Sequence, residues 1–240
     1  MKIVKKSRIF HYFFCKFSSY ARLKKEADSY MVDEFEKKVA VEYNSRFIKY
    51  GAHPKSSLWF SEQRQILRFD LIIKSIKRNL PPGQFLINDI GCGYGGFLKR
   101  LEDNFSIDSF SYAGFDLAKS PIAYCERRYA RNGARFYLSS IPSEIADYNV
   151  MSGTFNYAPD TTFKAWKNYL FNSLNSIWNL TKRSMIFNLM ISGEERITSQ
   201  NISYIKKETI VNFCQRNFGT TSEYFSSKLP REITFCVCKT

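Results

Sequence analysis

The sequence predicts an α/β fold: a seven-stranded, mostly parallel sheet that ends in an antiparallel hairpin, behind a helical N-terminal cap. Three observations predict it. From residue 81 onward, short apolar runs alternate with stretches of helical periodicity, the pattern of a parallel sheet covered on both faces. A glycine-rich loop, Gly91-Cys92-Gly93-Tyr94-Gly95-Gly96, directly follows the first of those runs. The spacer between the last two runs, Ser226 to Glu232, is too short for a crossover helix, so those runs should pair antiparallel.

The cap is read over residues 1–80 and the main domain over 81–240. Residues 1 to 25 carry eight Lys and Arg and no acid, interleaved with Phe10, Tyr12, Phe13, Phe14 and Phe17. Basic residues alternating with aromatics suit an anionic membrane interface or RNA. They also suit a helix packed through its rings. The apolar run Ile9 to Cys15 is broken by His11 and ended by Lys16, so no signal peptide is expected. Residues 26 to 50 are charged and helical in pattern, and Gly51 fits a C-terminal stop. Ser61 is the expected cap of a helix that lines Ile66, Leu67, Phe69, Ile73 and Ile76 along one face. Pro81-Pro82-Gly83 ends it. The cap is expected to close the acceptor site described below.

Strands are expected over 85–90, 111–116, 135–138, 148–152, 184–190, 221–225 and 233–238. The clearest helix runs from 121 to 132, with Ser120 as cap, Pro121 in the first helical position and Gly133 as stop. A second spans 162 to 180, with Phe163, Trp166, Leu170, Leu174 and Ile177 at helical spacing.

The 240 residues suit one large α/β domain, or a domain with an appendage. The net charge of +14 favours anionic partners, although Lys and Arg are spread along the whole chain as on an ordinary soluble surface. The six cysteines form no C-x-x-C and there are two histidines, so no metal site is expected. Cys236 and Cys238 fall on one strand face and read as small core residues. A cytoplasmic location, peripheral to a membrane if the basic arm binds one, fits this cysteine usage. No run of about 18 apolar residues is present to span a bilayer.

The glycine loop fits two cofactors. Gly91, Gly93 and Gly96 spell the dinucleotide pattern; Gly91, Gly93 and Gly95 spell G-x-G-x-G. In either case an acid ending the second strand can bind ribose hydroxyls, and Asp116 lies 20 residues after Gly96. Asp89 separates the two. A carboxylate there suits a cofactor with an ammonium and a sulfonium and would repel a pyrophosphate. At these residues the chain resembles the class I, Rossmann-like S-adenosylmethionine-dependent methyltransferases. Asp89-Ile90-Gly91-Cys92-Gly93-Tyr94-Gly95 matches that family's first motif, Asp116 falls at its ribose-binding acid, and Tyr148 to Gly153 resembles its fourth strand and the loop beyond. The resemblance covers about residues 62 to 240.

It implies a cofactor site of Asp89, Gly91, Cys92, Gly93, Gly95, Asp116 and Leu117, with Ser152 after strand four. Ser140 stands where the family often has an acid for the adenine. Arg68, on the helix before strand one, could pair with the methionine carboxylate or face solvent. Phe155 and Asn156 are acceptor-side candidates or a structural turn, and Trp59 and Tyr43 are candidate lid residues. His53 is a weak candidate for a catalytic base. The Asp/Asn-Pro-Pro-aromatic motif of base-amine methylases is missing after strand four. The implied reaction is methyl transfer from S-adenosyl-L-methionine to an oxygen or nitrogen of a small molecule or glycan intermediate. The alternatives are an RNA- or membrane-associated methyltransferase and an NAD-dependent oxidoreductase.

Overall fold

A computed structural model describes residues 33–58, 61–129 and 133–239. The chain divides into two units, Met1–Lys37 and Lys38–Thr240. The basic aromatic arm lies outside the described residues. In the first unit, 33 to 37 are helical.

In the second unit, residues 38 to 50 are helical (α1). Gly51 stops them at φ +63°, donating its N–H to Phe47 O at 2.8 Å. A 3₁₀ turn over Pro54–Ser57 follows. Helix α2 (Glu62–Lys77) starts at Ser61 as expected, although the Ser61 hydroxyl makes no capping bond. Its apolar face is rotated from the predicted one. Ile66 and Leu67 are half-buried, and Ile72 joins Phe69, Ile73 and Ile76 inside, together with Gln65, Arg68 and Ser75.

The main sheet has the order β3-β2-β1-β4-β5-β9-β8. Its strands are β1 (Phe85–Ile90), β2 (Phe110–Asp116), β3 (Arg135–Leu138), β4 (Ala146–Met151), β5 (Thr181–Met190), β8 (Thr221–Tyr224) and β9 (Glu232–Cys238). Strands β1 to β5 pair in parallel, and β9 runs antiparallel to both β5 and β8. The terminal hairpin is as predicted. Strand β5 begins at Thr181 rather than at 184, because Thr181 pairs with Ala146 across an irregularity in the β4 ladder. A two-stranded ribbon, β6 (Arg196–Ile197) and β7 (Ser203–Tyr204), was not foreseen; pieces of two residues carry no periodicity.

Helices α2, α3 (Gly96–Glu102) and α4 (Lys119–Arg128) bury Phe69, Ile72, Leu98, Leu101 and Ile122 in one core with Ile87, Tyr148, Val150 and Ile186. Alternation turns Met185, Phe187 and Leu189 to the other face. Helix α5 (Phe163–Asn179) buries its predicted Trp166, Leu170, Leu174 and Ile177, and α6 (Lys207–Asn217) buries Ile210 and Cys214. A leucine such as Leu170, fully buried, contributes about 1.5–3 kcal/mol.

Helix α4 corrects the sequence reading. It starts at Lys119, with Ala118 as N-cap, so Pro121 occupies the third helical position and Ser120 is inside the helix. The capping groups come from elsewhere: Asp116 Oδ1 accepts Ala118 N–H and Asn44 Oδ1 accepts Ser120 N–H, each at 2.8 Å. Cys236 and Cys238 share a face as expected, with sulfurs 3.8 Å apart.

Candidate functional site

Strand β1 delivers the chain to the glycine loop at the carboxyl end of the sheet, where ligands of such folds bind. Gly91 turns there at φ +77°. Its N–H and that of Cys92 both donate to Phe115 O, at 2.7 and 3.0 Å. A Cβ on Gly91 would lie 2.7 Å from Thr154 Oγ1, and one on Gly95 2.6 Å from the Tyr129 ring. The loop needs glycine because it is pressed between the loop after β4 and α4.

Two carboxylates flank it. Asp116, ending β2, accepts Gly93 N–H through Oδ2 and Ala118 N–H through Oδ1. The acid therefore ties the glycine loop to the next helix. Burial raises its pKa, and the N–H groups of Ala118, Gly93 and Leu117 pull it back. Asp89 is 1% exposed. Burial raises it from 3.8 to about 7; the Tyr112 hydroxyl, 2.5 Å from Oδ2, opposes the shift and Asp116 adds to it. Cys92 is buried, and its thiol pKa is raised by Cys125 and by burial.

Beyond β4, Thr154 Oγ1 donates to Ile90 O at 2.6 Å, and Gly153 N–H donates to Asn188 Oδ1 at 2.6 Å. Ser152 Oγ and Asn188 Nδ2 are buried and have no partner. Phe155 and Asn156 follow the structural reading. Phe155 is buried against Tyr169, and Asn156 Oδ1 accepts Met190 N–H at 3.1 Å. The carbonyls of both accept the Ser203 hydroxyl, which ties this loop to β7.

Tyr43 on α1 packs edge-on against Tyr157, with centroids 6.0 Å apart. Burial, Asp116 and Tyr157 raise its pKa, while Arg46 and Arg68 lower it. Arg68 corrects the solvent-facing alternative: it is 3% exposed, and Nε and Nη2 both donate to Glu232 Oε2, at 2.9 and 2.6 Å. Leu117 and Ser140 are half-buried beside the ends of β2 and β3. Trp59 lies outside the described residues. His53 is exposed, and its Nδ1 accepts Lys55 N–H, capping the 3₁₀ turn. That turn also brings Ser57 Oγ within 3.2 Å of a Cβ position on Gly93. No motif in the sequence had singled out Ser57, and the preceding loop residues gave no signal for it.

No protein-family model matches the chain. A Mycobacterium tuberculosis protein that carries a provisional methyltransferase name is 27% identical over 138 residues, 56% of this chain and 81% of that protein. Among solved structures, magnesium protoporphyrin IX methyltransferase from Synechocystis, with bound S-adenosylmethionine, superimposes with a TM-score of 0.63 at 12% identity, over 85% of this chain and 97% of that one. A Leishmania major S-adenosylmethionine-dependent methyltransferase gives 0.64 at 12% identity, over 85% and 83%. The Burkholderia thailandensis 1,6-didemethyltoxoflavin-N1-methyltransferase, with S-adenosylhomocysteine and 1,6-didemethyltoxoflavin bound, gives 0.57 at 13% identity, over 85% and 90%.

This is the class I methyltransferase fold. The resemblance read from residues 89 to 95 and Asp116 is borne out. The residues present fit the cofactor of that fold. The loop is closed to any side chain at Gly91, Asp89 and Asp116 supply two carboxyl groups, and Ser152 and Asn188 keep open hydrogen-bonding atoms at the ends of β4 and β5.

Proposed function

We propose that this methyltransferase moves a methyl group from S-adenosyl-L-methionine to an oxygen or nitrogen of a small molecule or glycan intermediate. The observation that carries this reading is the pair of carboxylates around the glycine loop. Asp116 is fixed by two backbone N–H groups at 2.8 Å, and Asp89 is buried beneath the loop. Such a site suits a cationic cofactor and disfavours a pyrophosphate.

Asp89, Gly91, Cys92, Gly93, Gly95, Asp116 and Leu117 would hold the cofactor, with Ser140 and Ser152 at its two ends. When bound, it supplies a methyl group on a sulfonium whose leaving group departs neutral. The chain then has to orient the acceptor, exclude water and hold the reactants at near-attack distance, which can supply much of the rate. Tyr43 and Tyr157 offer an aromatic wall for that purpose. His53, capping its own turn, gives no support to a base mechanism, and a base is needed only for a hydroxyl or protonated amine.

Titration of the protein with S-adenosylhomocysteine and, separately, NADH tests the reading. Micromolar binding of the first alone, lost in Asp116→Ala, is the expected result. Binding of NADH alone would replace it with a dinucleotide oxidoreductase. A second reading, an enzyme working on RNA or at an anionic membrane in the cytoplasm, is favoured by the basic aromatic arm of residues 1 to 25. Steeply salt-dependent binding to RNA or to anionic vesicles would support it.

A further inference from the structure

The amide of Asn188 is satisfied at one end and open at the other. The residue is 1% exposed. Its Oδ1 accepts Gly153 N–H at 2.6 Å. That bond decides which end is oxygen, because a backbone N–H cannot donate to an NH₂ group. Nδ2 is therefore the end turned from Gly153, and it has no partner. Buried amide donors are nearly always bonded, so an open one calls for an absent acceptor.

A second open group lies beside it. Val150 faces Ile186 across β4 and β5. One further step of strand alternation brings Ser152 level with Asn188 on the same face, and Ser152 Oγ is also buried without a partner. Their surroundings define what they can receive. On one side is the glycine loop, where Gly91 is packed against Thr154. On the other, Thr234 pairs with Asn188 and Glu232 with Met190, and Arg68 reaches down from α2 to Glu232 at 2.6 Å. The carboxylate on that side is thus paired with Arg68 and, at 3.8 Å, with Arg64, and the two open neutral donors remain. This arrangement receives an anionic oxygen. Asp89, on the loop side, is an acceptor when ionised and suits an ammonium.

We propose that Asn188, together with Ser152, receives the carboxylate at the amino-acid end of the cofactor. This rests on the reading of the site as one for S-adenosylmethionine. Asn188 then has two tasks on one side chain: Oδ1 holds the loop at Gly153, and Nδ2 holds the ligand.

The test compares two ligands on the full chain by calorimetry. S-adenosylhomocysteine has the amino-acid end; 5′-methylthioadenosine lacks it. Asn188→Asp keeps an oxygen for Gly153 N–H and replaces the donor with a like charge. Ser152→Ala removes the second donor and leaves the loop bond intact. The expected result is S-adenosylhomocysteine binding weakened about tenfold or more by Asn188→Asp and about threefold by Ser152→Ala, with 5′-methylthioadenosine unchanged. Equal weakening of both ligands would make the two residues merely structural and overturn the proposal. So would unchanged binding of both, or tighter binding of S-adenosylhomocysteine to Asn188→Asp, which would place the ammonium there. If Asn188→Asp does not fold, Ser152→Ala decides by the same comparison. A wild-type protein that binds neither ligand would instead remove the cofactor reading itself, and this inference with it.

Discussion

Tyr112 donates its hydroxyl to Asp89 Oδ2 at 2.5 Å, between side chains that are 2% and 1% exposed. Burial raises Asp89 from 3.8 to about 7, Tyr112 opposes the shift, and Asp116 adds to it. The sign for the ligand-free protein follows from linkage. A carboxyl raised on folding adds stability that is complete below its unfolded value of 3.8 and is lost as pH rises through about 7. Affinity for a cationic ligand runs the other way, because the ionised carboxylate attracts it. Binding of S-adenosylhomocysteine, whose ammonium is the cation, should therefore tighten as pH rises through about 7, by up to about tenfold per unit below that point. Asp89→Asn should flatten the profile. Tyr112→Phe removes the bond that favours the ionised form and should move the midpoint upward. Calorimetry between about pH 5.5 and 8.5 reads all three.

Gly91 and Gly83 separate two costs of adding a Cβ. Both have positive φ, +77° and +83°, but a Cβ on Gly91 would meet Thr154 Oγ1 at 2.7 Å, whereas one on Gly83 would meet nothing within 4 Å. Gly83→Ala should cost the left-handed strain alone, about 1–2 kcal/mol. Gly91→Ala also pushes Thr154 from Ile90 O and should cost about 2–4 kcal/mol. Urea denaturation of the two variants measures the difference. Equal losses would mean that Thr154 yields without cost.

Arg68 and Glu232 are 164 residues apart in sequence and both nearly fully buried. Burial lowers the Arg68 pKa to about 10, and Glu232 resists the shift, so the guanidinium stays charged at neutral pH. Glu232→Gln should leave an uncompensated buried charge and cost about 3–5 kcal/mol. Replacing both residues with leucine should cost far less than the single change, because no charge is then left alone. Chemical denaturation at low and high salt checks this, and the penalty should change little with salt because the pair is shielded from solvent.

The strands were legible because their side-chain alternation and turn signals are local. The predicted limits of β1 and β3 coincide with those observed. The glycine loop was legible because Gly91 and Gly95 answer to sterics that no other residue satisfies. What the sequence did not show was set by partners distant in the chain. Ser120 looked like a cap, but Asp116 and Asn44 do the capping. Arg68 was open between solvent and the methionine carboxylate, and Glu232, 164 residues away, holds it. Phe155 and Asn156 were open between an acceptor contact and a structural turn, and Ser203 of β7 bonds the carbonyls of both. Asn188 is an intermediate case: a polar residue inside the apolar run of β5 requires a partner, and Gly153 satisfies only half of it.

Asn44 ties α1 to the start of α4. Its Oδ1 accepts Ser120 N–H at 2.8 Å, in the first turn of the ten-residue helix α4. A side-chain oxygen on such an orphan N–H contributes about 1 kcal/mol, so Asn44→Ala should destabilise the protein by about that much. Asn44→Asp keeps the oxygen and adds a negative charge at the positive end of the helix. It should restore the loss and add about 0.3–1 kcal/mol at low salt, an increment that fades as salt rises. The neighbouring residue, Tyr43, feels both Asp116 and Arg68, so loosening this tether should also weaken S-adenosylhomocysteine binding, and Asn44→Asp should recover it. Thermal unfolding and calorimetry on the same three proteins test the coupling. A stability loss without any loss of affinity would show that α1 anchors α4 but takes no part in the cofactor site.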